Sequence, residues 1–195
     1  MQVVIVNGSY HRDGMTSVLV KSFAEGVRSR SPDAKIKEIF LMSKDFAYCT
    51  GCNHCQKDKD PEMGKCIHKD FVQKACRELV DADIAVLASP VYEYAVTAVM
   101  KKFLERNFPL VRGGFPIKAR KPHKKAGVAF ISTGCPWPIN RLLGITRYPE
   151  FIMKLMLRQY GKKKVHVVCP GAMETSPKEQ EKWKKKAWEL GRRLG

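Results

Sequence analysis

An α/β fold built on a parallel sheet is predicted by three features of this sequence. Short apolar runs alternate with helical patterns, turn residues punctuate the runs, and 195 residues suit a single domain. Val3 to Val6 reads as the first strand, ended by the turn signal Asn7-Gly8. Leu19, Val20, Phe23 and Val27 then recur at helical spacing over residues 16–30. Ile36 to Phe40 alternates as a second strand. Periodicity is lost in a cysteine-rich insertion, residues 45–70, and resumes in a helix with Phe71, Val72, Ala75, Cys76, Leu79 and Val80 on one face. Ile84 to Ala88 is a buried strand that Ser89-Pro90 should break. Val96, Val99, Met100, Phe103 and Leu104 mark the next helix, ended by Asn107-Phe108-Pro109. A basic connection, 111–125, leads to a strand from Ala126 to Ile131, and an irregular stretch from Cys135 to Tyr148 follows. A helix beginning near Pro149 carries Phe151, Ile152, Leu155 and Met156 and stops at Gly161. Val165 to Val168 is the fifth strand. In the last helix Ser176 and Glu179 form a capping box with Pro177 at the first helical position, and Trp183, Ala187, Leu190 and Leu194 line the inner face.

Composition narrows the class. A hydrophobic fraction of 44% and a charged fraction of 28% are those of a globular protein. No apolar run approaches the roughly 20 residues of a bilayer span, and the N-terminus enters a strand directly, without a signal-peptide pattern. Seven cysteines without an export signal point to a reducing, cytoplasmic setting, where clustered thiols serve metal or redox chemistry. The net charge of +17 is uneven. From Asn107 onward 20 basic side chains face 5 acidic ones, against 16 and 14 before it. Such a surface steers anionic partners.

In open parallel sheets ligands bind at the carboxyl ends of the strands, beside the switch in strand order. The loop after the first strand, Gly8 to Ser17, lacks the Gly-Lys-Ser/Thr of a P-loop and the G-x-G-x-x-G of a dinucleotide site. It does offer two glycines, the hydroxyls of Ser9, Thr16 and Ser17, and the N–H groups of a helix start, the parts that hold a phosphate dianion. An ordinary turn with a Ser/Thr helix cap would need only one of those hydroxyls.

The loop resembles the G-S-x-R-x-x-G-x-T signature of the NADPH-dependent FMN reductase family, with one extra residue before Arg12. Ser89-Pro90-Val91-Tyr92 with Lys102-Phe103 resembles its second signature and Ser132-Thr133-Gly134 its third. The resemblance implies a flavodoxin-like three-layer sandwich with a five-stranded parallel sheet in the order 2-1-3-4-5. It places Ser9, Arg12, Met15, Thr16 and Ser17 around the FMN phosphate. Pro90, Val91, Tyr92, Glu93 and Tyr94 would border the flavin from the second loop, and Thr133, Gly134 and Cys135 from the third. Met15 stands where family members often carry Asn, so it would offer only its backbone N–H. For Tyr92 and Tyr94, core packing is the competing role.

Cys49-x2-Cys52-x2-Cys55 followed by Cys66 is the second signal. Four thiolates suit a [4Fe–4S] cluster, and the first three have the spacing of bacterial ferredoxins. The segment resembles the cysteine motif of the iron–sulfur flavoprotein branch of the same family, with a ten-residue last spacer that is longer than usual there. Four thiolates, or three with His54 or His68, would equally suit tetrahedral zinc, and thiols without metal are a third reading. Cys76 and Cys169 read as core.

With FMN bound the hard chemistry is the flavin's own, so no catalytic acid or base is nominated. The resemblance implies either NAD(P)H or an acidic ferredoxin-like protein as electron donor, a small-molecule acceptor, and assembly as a homodimer or homotetramer. Two readings of other classes compete. One is a zinc-stabilised protein with a vestigial flavin site. The other is a basic nucleic-acid-binding module using Lys162-Lys163-Lys164 and Lys184-Lys185-Lys186. The inward position of Trp183 and the lack of any recognised nucleic-acid motif argue against the latter.

Overall fold

Side chains alternate across a strand, so a central strand covered on both faces must be apolar at every position. The computed structural model of the chain shows how that rule is met; it describes residues 1–113, 118–119, 123–172 and 175–195, with backbone alone at 118–119 and 123–125. Its elements are β1 (Gln2–Asn7), α1 (Met15–Arg30), β2 (Lys35–Phe40), α2 (His54–Lys57), α3 (Phe71–Asp81), β3 (Ile84–Tyr92), β4 (Ala95–Val96), α4 (Ala98–Glu105), β5 (Val111–Arg112), β6 (Lys118–Ala119), β7 (His123–Ser132), α5 (Ile139–Leu142), α6 (Arg147–Gln159), β8 (Lys162–Val168) and α7 (Pro177–Leu194). Val3 and Ile5 of β1, Ile84 and Val86 of β3, and Val128 and Phe130 of β7 face α1 and α7. Their neighbours Val4, Val6, Ala85, Leu87, Ala129 and Ile131 face α3, α4 and α6. Three layers result.

The parallel strands run β2-β1-β3-β7-β8. The expected α/β sandwich is present, but a five-strand sheet is too simple. β4 pairs antiparallel with the end of β3, making a sixth strand, and β5 and β6 form a separate ribbon within the connection 111–125, part of which lies outside the described residues. Ser89-Pro90 does not break β3 either. A proline cannot donate to the ladder, yet at the carboxyl end of the strand Pro90 still pairs in register with Ser132. The sixth helix also differs from expectation: α6 buries Pro149, Met153, Met156 and Leu157, whereas Phe151 is 61% exposed. The inner face is therefore rotated from the one read in the sequence. On α7, Ser176 Oγ accepts the Glu179 N–H at 3.3 Å, but the Glu179 carboxylate turns to Lys182 and Trp183, giving half of the capping box.

α1 and α7 touch backbone to backbone. A Cβ on Gly26 would lie 2.0 Å from the Trp188 carbonyl oxygen, and one on Gly191 would lie 2.1 Å from that of Phe23. Across the sheet, Lys162 is 1% exposed, and its Nζ donates to the carbonyls of Val80 and Ala82 at 3.0 and 2.7 Å, the end of α3. The Lys162-Lys163-Lys164 run is thus not a surface patch of three.

The cysteine-rich segment is fastened to this frame by an ion pair. Arg106, just past α4, sends two nitrogens to the Asp70 carboxylate at 2.7 and 3.0 Å and one to the Ala47 carbonyl at 2.7 Å. Asp70 also caps α3 through the Val72 N–H and accepts the Ala47 N–H, both at 3.1 Å. Desolvation pushes the Asp70 carboxyl up, but the Arg106 hydrogen bond and charge and the two N–H bonds outweigh it and hold the group below its ordinary value.

Two outcomes are expected. Gly26→Ala should cost about 2 kcal/mol or more, as overpacking does, visible as a lower urea midpoint at unchanged slope; an unchanged midpoint would refute the close approach. Because the folded Asp70 carboxyl is depressed, the stability it contributes is full above the unfolded value of roughly 3.9 and lost as pH falls through the folded value. Asp70→Ala should therefore cost about 3 kcal/mol at neutral pH, and the gap to wild type should narrow in acid. Urea unfolding at several pH values measures it.

Candidate functional site

The loop after β1 is closed by its own polar groups. The Ser9 N–H donates to Asn7 Oδ1 at 3.0 Å, Ser9 Oγ donates to the His11 carbonyl at 3.0 Å, and Ser17 Oγ donates to the same carbonyl at 3.1 Å. Asn7 Nδ2 reaches both Ser17 Oγ at 3.0 Å and Glu38 at 2.8 Å. The hydroxyls of Ser9, Thr16 and Ser17 are all buried. They shape the loop rather than line its surface. Helices α3, α4 and α7 begin with a side-chain cap, from Asp70, Thr97 and Ser176; α6, beginning at Thr146, has none, and α1 begins at Gly14, which has no side chain to offer. The cap reading of this loop therefore fails, and the first N–H groups of α1 have the arrangement that accepts an anion. Met15 Sδ lies 3.4 Å from Gln180 Nε2, toward α7, which leaves its backbone N–H as its contribution to the loop. Arg12 places its guanidinium 4.4 Å from the centroid of the Phe40 ring.

The three strand-end loops meet. Thr16 Oγ1 and Ser132 Oγ are 2.6 Å apart, joining the first to the third. The Tyr10 and Tyr92 rings stack at 5.4 Å, joining the first to the second, and the Ala98 N–H donates to Tyr10 Oη. Tyr92 and Tyr94 are 44% and 60% exposed, so core packing is excluded for both. They belong to a tight hairpin in which Tyr92 pairs with Ala95 and both turn residues, Glu93 and Tyr94, have positive φ, 47° and 60°. A two-residue turn of this kind favours Asn or Gly; a glutamate and a tyrosine held there at some cost in strain suggest a functional constraint. Pro90 and Val91 lie in the strand below the turn. In the third loop the Cys135 N–H donates to Thr133 Oγ1 at 3.0 Å, Thr133 bridges to Gly171, and Gly134 is exposed, with no atom within 4 Å of the position its Cβ would take. Asn7, Tyr10, Thr97 and Ser132 join these loops to one another; the sequence marks Asn7 as a turn residue and Ser132 as part of the third signature, but gives none of the four a role at the site. Thr97 has a readable signal of its own, a Thr before a helical pattern.

Cys49, Cys52, Cys55 and Cys66 line one small cavity, together with His68 and Arg106. The long spacer doubles back on itself to achieve this. Asp58 accepts the N–H groups of Asp60 and Lys65, Asp60 accepts those of Glu62 and Met63, and the Gly64 N–H bonds the Pro109 carbonyl. Such Asx turns let a chain reverse within a few residues. On the other side Gln56 ties α2 to the carbonyls of Phe108 and Val111. Burial pushes the Cys55 thiol up against a hydrogen bond from Gln56, and the other three sulfurs add to the rise, which places all four within electrostatic reach. Two buried polar atoms on the wall, His68 Nε2 and Arg106 Nε, have no hydrogen-bond partner. Four thiols beside two unpartnered polar atoms form a donor set that fits a thiolate-bound metal group. Among the described residues no three His, Cys, Asp or Glu side chains converge closely enough for a single ion. Cys76 is core, as expected: burial raises its thiol far above the ordinary value, and it donates to Asn107 Oδ1 at 2.7 Å.

Known proteins place this geometry. An iron–sulfur flavoprotein of Methanocaldococcus jannaschii is 32% identical over 118 residues, 60% of this chain and 57% of its own. One from Clostridioides difficile is 32% identical over 107 residues, 54% of this chain and 45% of its own. The chain thus matches about half the length of these curated relatives. Among solved structures, the NAD(P)H:quinone oxidoreductase from Methanothermobacter marburgensis superposes with a TM-score of 0.78 at 18% identity, covering 100% of this chain and 96% of that one. An FMN-dependent NADH-azoreductase from Bacillus anthracis, solved in complex with FMN, superposes at 0.75 with 12% identity, covering 99% of this chain and 98% of that one. At these identities the superpositions show a shared fold. The sequence profile described as NADPH-dependent FMN reductase matches residues 1–137, which carry the first two strand-end loops, most of the third and all four clustered cysteines. The chain belongs to the NADPH-dependent FMN reductase family.

Proposed function

We propose that this chain is an FMN-dependent oxidoreductase in which a [4Fe–4S] cluster held by Cys49, Cys52, Cys55 and Cys66 exchanges electrons with the flavin. One observation carries the flavin half: a helix start left without a side-chain cap, under a loop joined to both other strand-end loops. The N–H groups of Met15, Thr16 and Ser17 would bind the phosphate, and Arg12 would leave the Phe40 ring to add a charge-assisted bond. Tyr92, Glu93 and Tyr94 would border the ring system from one side and Thr133, Gly134 and Cys135 from the other. When bound, the two groups supply hydride and single-electron chemistry; the protein orients them and limits access by water.

For the thiol cavity, tetrahedral zinc needs ligands at about 2.3 Å from one centre. A cubane spreads its four thiolates over a wider span, which agrees better with sulfurs that share a cavity without converging. The second reading is an NAD(P)H-linked quinone reductase without a cluster. The fold it shares with a quinone oxidoreductase and the exposure of Cys49 and Cys52 favour it. NAD(P)H or an acidic ferredoxin-like protein is the proposed donor and a small molecule the acceptor. Assembly as a homodimer or homotetramer belongs to the same reading. Leu142, Leu143 and Phe151, 79%, 62% and 61% exposed on and beside α5 and α6, form apolar surface that a second copy would cover.

Flavin binding is tested by titrating apo-protein with FMN and with riboflavin, following fluorescence quenching. FMN should bind far more tightly, and Arg12→Ala should weaken FMN about 10–100-fold, the size of a lost bond to a charged group, while leaving riboflavin unchanged. Equal affinity for both flavins would remove the phosphate from the loop. Anaerobic reconstitution with iron and sulfide tests the cavity. Wild type should take up four irons per chain on this reading, and Cys55→Ser should lose them while still binding FMN. Zinc in place of iron, or no metal at all, selects an alternative.

A further inference from the structure

Arg106 does more at the thiol cavity than fasten a loop. Its side chain is 1% exposed, and two of its nitrogens are fixed by Asp70 and Ala47. The guanidinium also faces Cys66, lines the same cavity as all four clustered thiols, and leaves Nε buried without a partner. The bidentate grip of Asp70 prevents the group from turning away, so its charge stays at the cavity wall.

We propose that Arg106 is a positioning residue for the group bound by Cys49, Cys52, Cys55 and Cys66, donating Nε–H to a sulfur at the Cys66 side and offsetting the negative charge gathered there. The proposal rests on the cluster reading above. Four thiolates in a half-buried cavity repel one another and any added electron. A fixed cation and a hydrogen bond to sulfur lower both costs, and hydrogen bonds to the sulfurs are among the levers that set a cluster's potential. Arg106 should therefore favour the reduced cluster.

The test compares reconstituted wild type with Arg106→Gln and Arg106→Lys, using iron and sulfide content and the midpoint potential from EPR-monitored redox titration. FMN binding and far-UV circular dichroism report the fold. Arg106→Gln should shift the reduction equilibrium at least about tenfold toward the oxidised cluster, about 59 mV more negative for one electron, and Arg106→Lys should recover most of that shift. Should Arg106→Gln fail to fold, the wild type alone still decides. With nitrogen-15 arginine, pulsed EPR of the reduced cluster should show coupling to an arginine nitrogen. A wild-type potential in folded Arg106→Gln, or no arginine coupling, overturns the role of Arg106 and leaves the cluster standing. A wild type that binds no iron overturns both.

Discussion

The hydroxyl of Thr97 holds three parts of the molecule in register. It donates to the Gly8 carbonyl at 2.7 Å and accepts the Met100 N–H at 3.3 Å, while its own N–H donates to Ser89 Oγ at 3.0 Å. One residue thereby joins the loop after β1, the end of β3 and the start of α4, all in a fully buried setting where an unpaired polar group would be costly. Gly8 sits so close to α4 that a Cβ would come within 2.8 Å of Met100 Cβ. The first two loops of the candidate flavin site are held to one another and to α4 by this junction. Arg106 at the far end of the same helix passes that position on to the cysteine loop.

Elements buried on both faces were the easiest to read in the sequence. β1, β3 and α1 bury the residues that their periodicity nominated, and β7 and α3 do so except at Ala126 and Phe71, which are half-buried. What escaped depended on long-range geometry. The face of α6 turned because Met153 and Leu157, not Phe151, meet the sheet. Gly26 and Gly191 look like weak points in two helices until the helices are seen to press together there. The hairpin of β3 and β4 was hidden because Glu93-Tyr94 is not a turn sequence, and a strained turn cannot be recognised from residues that normally avoid it. At the candidate site the loops were legible from their place after the strands, whereas the burial of the Ser9, Thr16 and Ser17 hydroxyls was not, because it depends on contacts made only in the fold. The four cysteines were legible as a group, while their shared cavity and the presence of Arg106 in its wall depend on the folded spacer.

Several cations of the basic half have local roles among the described residues. Lys162 ends α3 from below, Lys154 and Arg141 hold Glu150, and Lys182 pairs with Glu179 and lies with Lys186 over the Trp183 ring. Glu150 in turn accepts the Cys169 thiol at 3.3 Å, so Arg141 and Lys154 neutralise a largely buried carboxylate from the surface. A continuous cationic stripe of the kind nucleic acid follows does not emerge from these described residues. The charge is better understood as a diffuse field that favours anionic ligands.

α4 also fixes a phase. Its eight residues, Ala98 to Glu105, cover about 12 Å at 1.5 Å per residue, and each residue turns the helix by about 100°. A single inserted or deleted residue would swing Arg106 out of line with Thr97, so length variation here should be suppressed. The spacer between Cys55 and Cys66 obeys no such arithmetic, because Asx turns can absorb extra residues at little entropic cost. Lengthening that loop leaves the gauge between the two sites untouched, which is how a ten-residue spacer can coexist with an otherwise rigid frame.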